Sequence, residues 1–111
     1  MKQLSGRELL EMSNAPSGAT TLLLDVREPW EFELAAIRID SCRTVHIPMN
    51  SIPERLNEID SSQPVVCICH HGARSAQVVT FLERHGFETV YNLAGGIDAW
   101  SQQVDASVPR Y

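Results

Sequence analysis

Apolar positions along the chain gather into short continuous runs, separated by stretches in which they recur at helical spacing. Thr20-Thr21-Leu22-Leu23-Leu24-Asp25-Val26 predicts a strand buried on both faces, because a strand with one wet face would alternate apolar and polar residues. Val65 to Cys69 predicts a second such strand. Shorter ones are expected at Thr44 to Ile47, stopped by Pro48, and at Thr89 to Asn92. Between them, Ser5 caps a helix over Gly6 to Met12, and Pro29 suits the first turn of a helix reaching Leu34, whose Trp30, Phe32 and Leu34 require cover. Ser51 and Glu54 stand at capping-box spacing and predict a helix over Ile52 to Ile59. From Ala73 to about His85, Ala76, Val79 and Leu82, with Val78 beside them, form an apolar stripe that Gly86 closes. Gly95-Gly96 turns into a last helical piece around Ile97 to Gln102, with Ile97 and Trp100 as core residues. Asn14 to Gly18 reads as a turn, and Val104 to Tyr111 is expected to run extended over the surface.

Strands that alternate with helices in this way predict an α/β layer architecture with a mainly parallel central sheet flanked by helices. In such sheets ligands bind beyond the carboxyl ends of the strands, which places Asp25 and Cys69 on one rim. At 111 residues, 43% of them hydrophobic, the chain has the size of one domain with one core, spanning 1–111.

Charge and cysteine usage narrow the function classes. A net charge of −5 argues against nucleic-acid binding, which needs a basic face, and implies that an anionic substrate is attracted locally. Met1 to Glu8 lacks the apolar core of a signal peptide and no segment reaches the length of a membrane span, so a soluble, cytoplasmic protein without a membrane partner is expected. Three cysteines, Cys42, Cys67 and Cys69, read as free thiols of a reducing compartment.

The chemistry concentrates in Val65-Val66-Cys67-Ile68-Cys69-His70-His71-Gly72-Ala73-Arg74-Ser75, where an apolar strand ends, a helix begins, and Cys69 sits between them. Unpaired backbone N–H groups and the positive end of the helix macrodipole stabilise a sulfur anion there, and Arg74 adds a permanent positive charge. Such a setting turns an inert thiol into a nucleophile.

The spacing Cys69-x-x-Gly72-x-Arg74-Ser75, with Asp25-Val26-Arg27-Glu28 upstream and Asn92-Leu93-x-Gly95-Gly96-Ile97-x-x-Trp100 downstream, resembles the single-domain rhodaneses, which are sulfurtransferases. The resemblance covers nearly the whole chain and implies a rhodanese-like three-layer fold. It implies a ping-pong reaction in which Cys69 takes the outer sulfur of a donor such as thiosulfate, holds it as a persulfide, and passes it to cyanide or a thiol. Inward N–H groups of residues 70 to 75 would hold the sulfur anion, with His70, His71, Gly72, Ala73 and Ser75 lining the substrate site. Gly72 gives the loop the φ freedom that a tight curl needs. Carried over from the family motif, Arg74 closes the loop by bonding loop carbonyls and the bound anion, and Ser75 caps or lines the helix start. Asp25 and Arg27 brace the rim through charged hydrogen bonds. No metal or organic cofactor is implied; the partners are a small sulfur-containing anion and a sulfur donor or acceptor protein.

The chain departs from the family's common pattern in two places. After the second helix it reads Ala35-Ala36-Ile37 and reaches Ile47-Pro48 only after a longer stretch containing Cys42, and His70 and His71 stand where thiosulfate-preferring members often carry Arg or Lys. Other readings stay open. Cys67 is either a small buried hydrophobe or a resolving thiol, and His70 and His71 are either solvated loop residues or determinants of substrate choice. Cys67, Cys69, His70 and His71 are too close in sequence to converge on one metal tetrahedron. A non-catalytic binding module is one alternative function. A phosphatase or arsenate reductase on a related fold is another, disfavoured because phosphatases keep one residue more than the four between Cys69 and Arg74.

Overall fold

The computed structural model describes residues 1–14 and 20–111; the expected turn at Asn14 to Gly18 lies mostly outside them. Its elements in chain order are β1 (Lys2–Leu4), α1 (Gly6–Asn14), β2 (Leu22–Asp25), α2 (Pro29–Leu34), β3 (Arg43–His46), β4 (Val65–Ile68), α3 (Ala73–Arg84), β5 (Val90–Leu93) and α4 (Gly96–Gln103). The strands form one sheet in the order β1-β5-β4-β2-β3, every neighbouring pair parallel. The expected α/β class with helices on both faces is therefore the observed one.

Strand alternation divides the core cleanly in two. Leu22, Leu24, Val26, Val65, Cys67 and Cys69 join Val78, Val79 and Leu82 of α3 and Ile52, Ile59 and Phe87 on one face. Leu23, Val66, Ile68 and Leu93 join Leu9 of α1, Ile97 and Trp100 of α4, and Ile37 on the other. Burying both faces is what the unbroken apolar runs of β2 and β4 required.

Three expectations need correction. The helix over Ile52 to Ile59 is absent; single 3₁₀ turns at Met49–Ser51 and Leu56–Glu58 replace it. The backbone leaves the helical region at Arg55, φ −110° and ψ +18°, and the segment closes with short bonds such as Ile52 N–H to Met49 O and Ile59 N–H to Leu56 O. Capping boxes form instead at Ser5 with Glu8 and at Glu28 with Glu31. On α2, Trp30 and Leu34 stay exposed, at 61% and 48%, while the side that faces inward carries Glu31, 3% exposed. Residues 104–107 turn rather than run extended; Ser101 Oγ then holds Val108 O at 2.6 Å and Tyr111 is brought back against α2. Strand β1 was not foreseen. It is three residues long and without an apolar run, held on the sheet edge by main-chain bonds including Ala94 N–H to Leu4 O at 2.7 Å.

Strands β2 and β4 are neighbours, with Asp25 opposite Ile68. Their carboxyl ends therefore open side by side, and Cys69 emerges between them.

Candidate active site

Residues 69 to 72 curl between β4 and α3. Gly72 takes φ +103°, a left-handed conformation that an L side chain rarely adopts, and this turns its N–H back onto Cys69 Sγ at 3.0 Å. Ser75 Oγ lies 3.2 Å from the same sulfur, and Cys69 as a whole is only 1% exposed. Ser75 also donates a short hydrogen bond to Asn92 Oδ1, while Asn92 Nδ2 donates to Gly72 O at 3.1 Å. Asn92, buried at the end of β5, thus fixes both the loop carbonyl and the hydroxyl beside the sulfur.

The loop is gripped from a second side by the start of α4. Ile97 N–H donates to Cys69 O at 2.9 Å and Asp98 N–H to His70 O at 3.1 Å. Only glycine fits ahead of them: Gly96 has φ +62°, and a Cβ there would collide with the carbonyl oxygens of Cys69 and His70. Two helix starts therefore meet at the cysteine loop, each lending partial positive charge.

Arg74 does not close the loop through its carbonyls as expected. Its guanidinium makes a two-pronged pair with Glu31, Nη1 to Oε1 at 2.7 Å and Nη2 to Oε2 at 2.9 Å. The carbonyls of Cys69 and His70 are already taken by α4, and that of Gly72 by Asn92 and by Ala76 N–H. A buried carboxylate is also the stronger acceptor for a guanidinium. The Arg74 hydrogen bonds hold the Glu31 carboxyl down at about 2, against the opposing effect of burial and with help from the Tyr111 hydroxyl. The same pairing pushes the Arg74 pKa upward.

Behind this pair lies a fully saturated cation. Arg27 is 0% exposed and uses all five N–H groups: Nε and one Nη2 proton on Asp25, the other Nη2 proton on Ala35 O at 2.6 Å, and Nη1 on Glu31 O at 3.2 Å and Tyr111 Oη at 2.8 Å. Burial works against its charge, and the Asp25 hydrogen bond and charge more than restore it. Asp25 and Arg27 thus tie β2, α2 and the segment from Ala35 to Ile37 into one rim, which is where the atypical Ala35-Ala36-Ile37 stretch finds its place.

At the mouth, the His70 ring is stacked between His71, at 4.0 Å, and Tyr111, at 4.1 Å, and Trp30 meets Tyr111 edge-on at 5.8 Å. His71 is largely exposed, with Nδ1 3.9 Å from Asp98. Ala73 is exposed at the first position of α3. Two surface hollows, of about 490 and 230 Å³, are lined by the 49–61 segment, α3 and Phe87 and by none of these residues.

A sequence model described as "Rhodanese-like domain" matches residues 5–103. The chain belongs to the rhodanese-like family. A sulfurtransferase of Allochromatium vinosum is 40% identical over 73% of this chain and 72% of its own length, and the thiosulfate sulfurtransferase GlpE of Vibrio cholerae is 33% identical over 70% of each. A chloroplastic rhodanese-like/PpiC domain-containing protein of Arabidopsis thaliana is 36% identical over 80% of this chain, which spans only 30% of it. A crystal structure of a rhodanese-like domain protein from Staphylococcus aureus superimposes with a TM-score of 0.79, at 29% identity and with 100% of this chain and 99% of the other covered.

Within this rhodanese-like domain, the structure brings Cys69, Gly72, Ser75, Arg74, Asp25 and Arg27 to one rim. Sequence reasoning missed Glu31, Tyr111 and Asn92. Glu31 had a signal, since two guanidinium groups converge on a rim where Asp25 supplies one carboxylate, so a second acid was required. Cys67 lies on the α3 face of the core, fully buried, and burial together with the nearby Cys69 pushes its thiol up. No helix among the described residues is long and apolar enough to cross a membrane.

Proposed function

We propose that this domain is a sulfurtransferase that carries sulfane sulfur on Cys69. The observation that carries the reading is the Cys69 cradle, in which a main-chain N–H at 3.0 Å and a hydroxyl at 3.2 Å meet a sulfur at the junction of a strand and a helix. The sulfurtransferase names of the relatives support the same class.

Cys69 as thiolate attacks the outer sulfur of the donor. A bond forms from Sγ to that sulfur, the donor's own sulfur–sulfur bond breaks, and the leaving group departs with the electron pair, sulfite in the case of thiosulfate. The negative charge now sits on the terminal sulfur of the persulfide. In the second half-reaction an acceptor such as cyanide or a thiol attacks that sulfur and Cys69 leaves as thiolate. Neither half needs a metal or an external oxidant.

The cradle serves both states because its donors are fixed before the reaction. Gly72 N–H is held in place by its backbone conformation, and the Ser75 hydroxyl by Asn92. With Cys69 as a thiol, the S–H can donate to Ser75 Oγ, whose own proton lies on Asn92. With Cys69 as an anion, the hydroxyl proton can turn to the sulfur.

Formation of thiocyanate from a sulfane-sulfur donor and cyanide tests the reading. Initial rates with both substrates varied should give the parallel pattern of a substituted-enzyme mechanism, and Cys69→Ala should be inactive while Cys67→Ala turns over. Activity that survives Cys69→Ala would refute the assignment.

A further inference from the structure

Ser75 Oγ carries one proton and has three acceptors within reach. Cys69 Sγ lies at 3.2 Å, Gly72 O at 3.3 Å, and Asn92 Oδ1 is the closest of the three. The Asn92 amide is held in this orientation, because its Nδ2 donates to Gly72 O at 3.1 Å and to Gln3 Oε1 at 3.2 Å, and a main-chain carbonyl only accepts. Strand β1 delivers Gln3 to that place, its register setting Gln3 opposite Asn92 on β5. Asn92 and Ser75 are 3% and 0% exposed, whereas Gln3 lies on the exposed sheet edge. The hydroxyl proton therefore rests on Asn92, and Ser75 Oγ turns a lone pair to the sulfur. That suits a thiol, whose S–H donates to Oγ. It is tolerated by the inner sulfur of a persulfide, which carries no charge once the negative charge has moved to the terminal sulfur. A thiolate asks for the Ser75 proton and obtains it only by breaking the Asn92 bond.

Resting on the sulfurtransferase reading above, we propose that Asn92, steadied by Gln3, is a positioning residue that withholds the Ser75 proton from Cys69 Sγ and so raises the thiolate in energy relative to both the thiol and the persulfide. In loading, Sγ bonds the outer sulfur of the donor, the donor bond to that sulfur breaks, and the leaving group takes the electron pair. Charge leaves Sγ in that step, and the Ser75–Asn92 bond is regained. The relay from β1 through β5 to α3 thus favours the loaded state. Other charged and titratable groups stand around the sulfur: Arg74 backed by Glu31, Cys67 on β4, His70 and His71 on the loop, and Asp98 at the start of α4. None of them bonds the side chain of Gln3 or Asn92.

Gln3→Met removes the outer acceptor from an exposed position and leaves Asn92 and Ser75 in place. Alkylation of Cys69 by iodoacetamide, followed by peptide mass from about pH 5 to about pH 10, gives its ionisation midpoint without any sulfur transfer. The midpoint should fall by roughly half a unit in Gln3→Met and by up to about one unit in Asn92→Leu, the size of one net hydrogen bond. Gln3→Glu keeps an acceptor oxygen and should show no fall. In Ser75→Ala, which has no proton to release, adding Gln3→Met should leave the midpoint unmoved, a coupling that a merely structural role for Gln3 does not produce. At a pH above all the midpoints, the equilibrium constant for loading from thiosulfate, read by intact mass at fixed thiosulfate and sulfite, should be about threefold lower in Gln3→Met. A midpoint that stays or rises in Gln3→Met, or a fall that persists in Ser75→Ala, overturns the relay even where Asn92→Leu fails to fold. A loading constant that does not change when the midpoint falls overturns it as well. If the unchanged protein takes up no sulfur, the sulfurtransferase reading falls, and the midpoints still decide whether Asn92 holds the Ser75 proton.

Discussion

Replacing Glu31 by Gln keeps the shape of α2 and removes one charge from beneath the active-site rim. Glu31 accepts two hydrogen bonds from Arg74 and one from the Tyr111 hydroxyl at 2.6 Å, and the Arg74 bonds dominate in holding its carboxyl at about 2 rather than its ordinary 4.5. That difference sets a ceiling of about 3 kcal/mol at neutral pH, which solvent at the partly exposed Arg74 lowers to roughly 2. Because the folded-state value is the depressed one, the contribution is complete above about pH 4.5 and disappears as pH falls through about 2. The amide keeps one acceptor oxygen for Arg74 but turns an N–H₂ toward the other prong, so only one of the two bonds survives. Urea unfolding at pH 7 should show Glu31→Gln about 2 kcal/mol less stable than the unchanged protein, a drop of roughly 5–10 °C in Tm for a domain of this size. At pH 3 the gap should shrink to less than half, and near pH 2 it should nearly close. A gap that stays constant from pH 7 to 2, or a variant as stable as the parent at pH 7, would refute the ion pair as the source of the depression.

Further consequences can be checked with single changes. Gly96→Ala should cost far more stability than Gly86→Ala, although both glycines have positive φ, because a Cβ at 86 meets open space and only the left-handed penalty of roughly 1–2 kcal/mol applies; similar losses in urea unfolding would contradict the close approach to the loop carbonyls. Arg74→Lys should recover only part of the activity that Arg74→Ala loses, since an ammonium cannot form the two-pronged pair with Glu31, and the two variants' thiocyanate rates decide it. One of the two tyrosines should ionise only near pH 12 in an ultraviolet titration and vanish from it in Tyr111→Phe, because burial and the Glu31 carboxylate both oppose the phenolate at Tyr111.

Much of the architecture was legible in the chain because its strands are buried on both faces. A continuous run such as Leu22-Leu23-Leu24 can only be satisfied by cover from above and below, which is the three-layer arrangement observed. Cys69 was equally legible, since its place between a strand and a helix is a local property. What escaped detection was set by tertiary partners. Strand β1 exists because β5 offers it an edge, and the 52–59 segment, whose capping residues look right, breaks at Arg55 into two 3₁₀ turns. On α2 the hydrophobic spacing misled: Trp30 and Leu34 face outward because the inward position is claimed by Glu31, whose burial is tolerable only with Arg74, Arg27 and Tyr111 around it. Arg74 was found at the right place with the wrong partners, since its role depends on which loop carbonyls are already taken.

The mass of the intact protein after brief exposure to a sulfane-sulfur donor tests the central claim most directly. The unchanged protein and Cys67→Ala should each gain one sulfur atom that cyanide then removes, and Cys69→Ala should gain none. A stable sulfur on Cys69→Ala, or no addition to the unchanged protein with thiosulfate or another sulfane-sulfur donor, would contradict the assignment of Cys69 as the sulfur carrier.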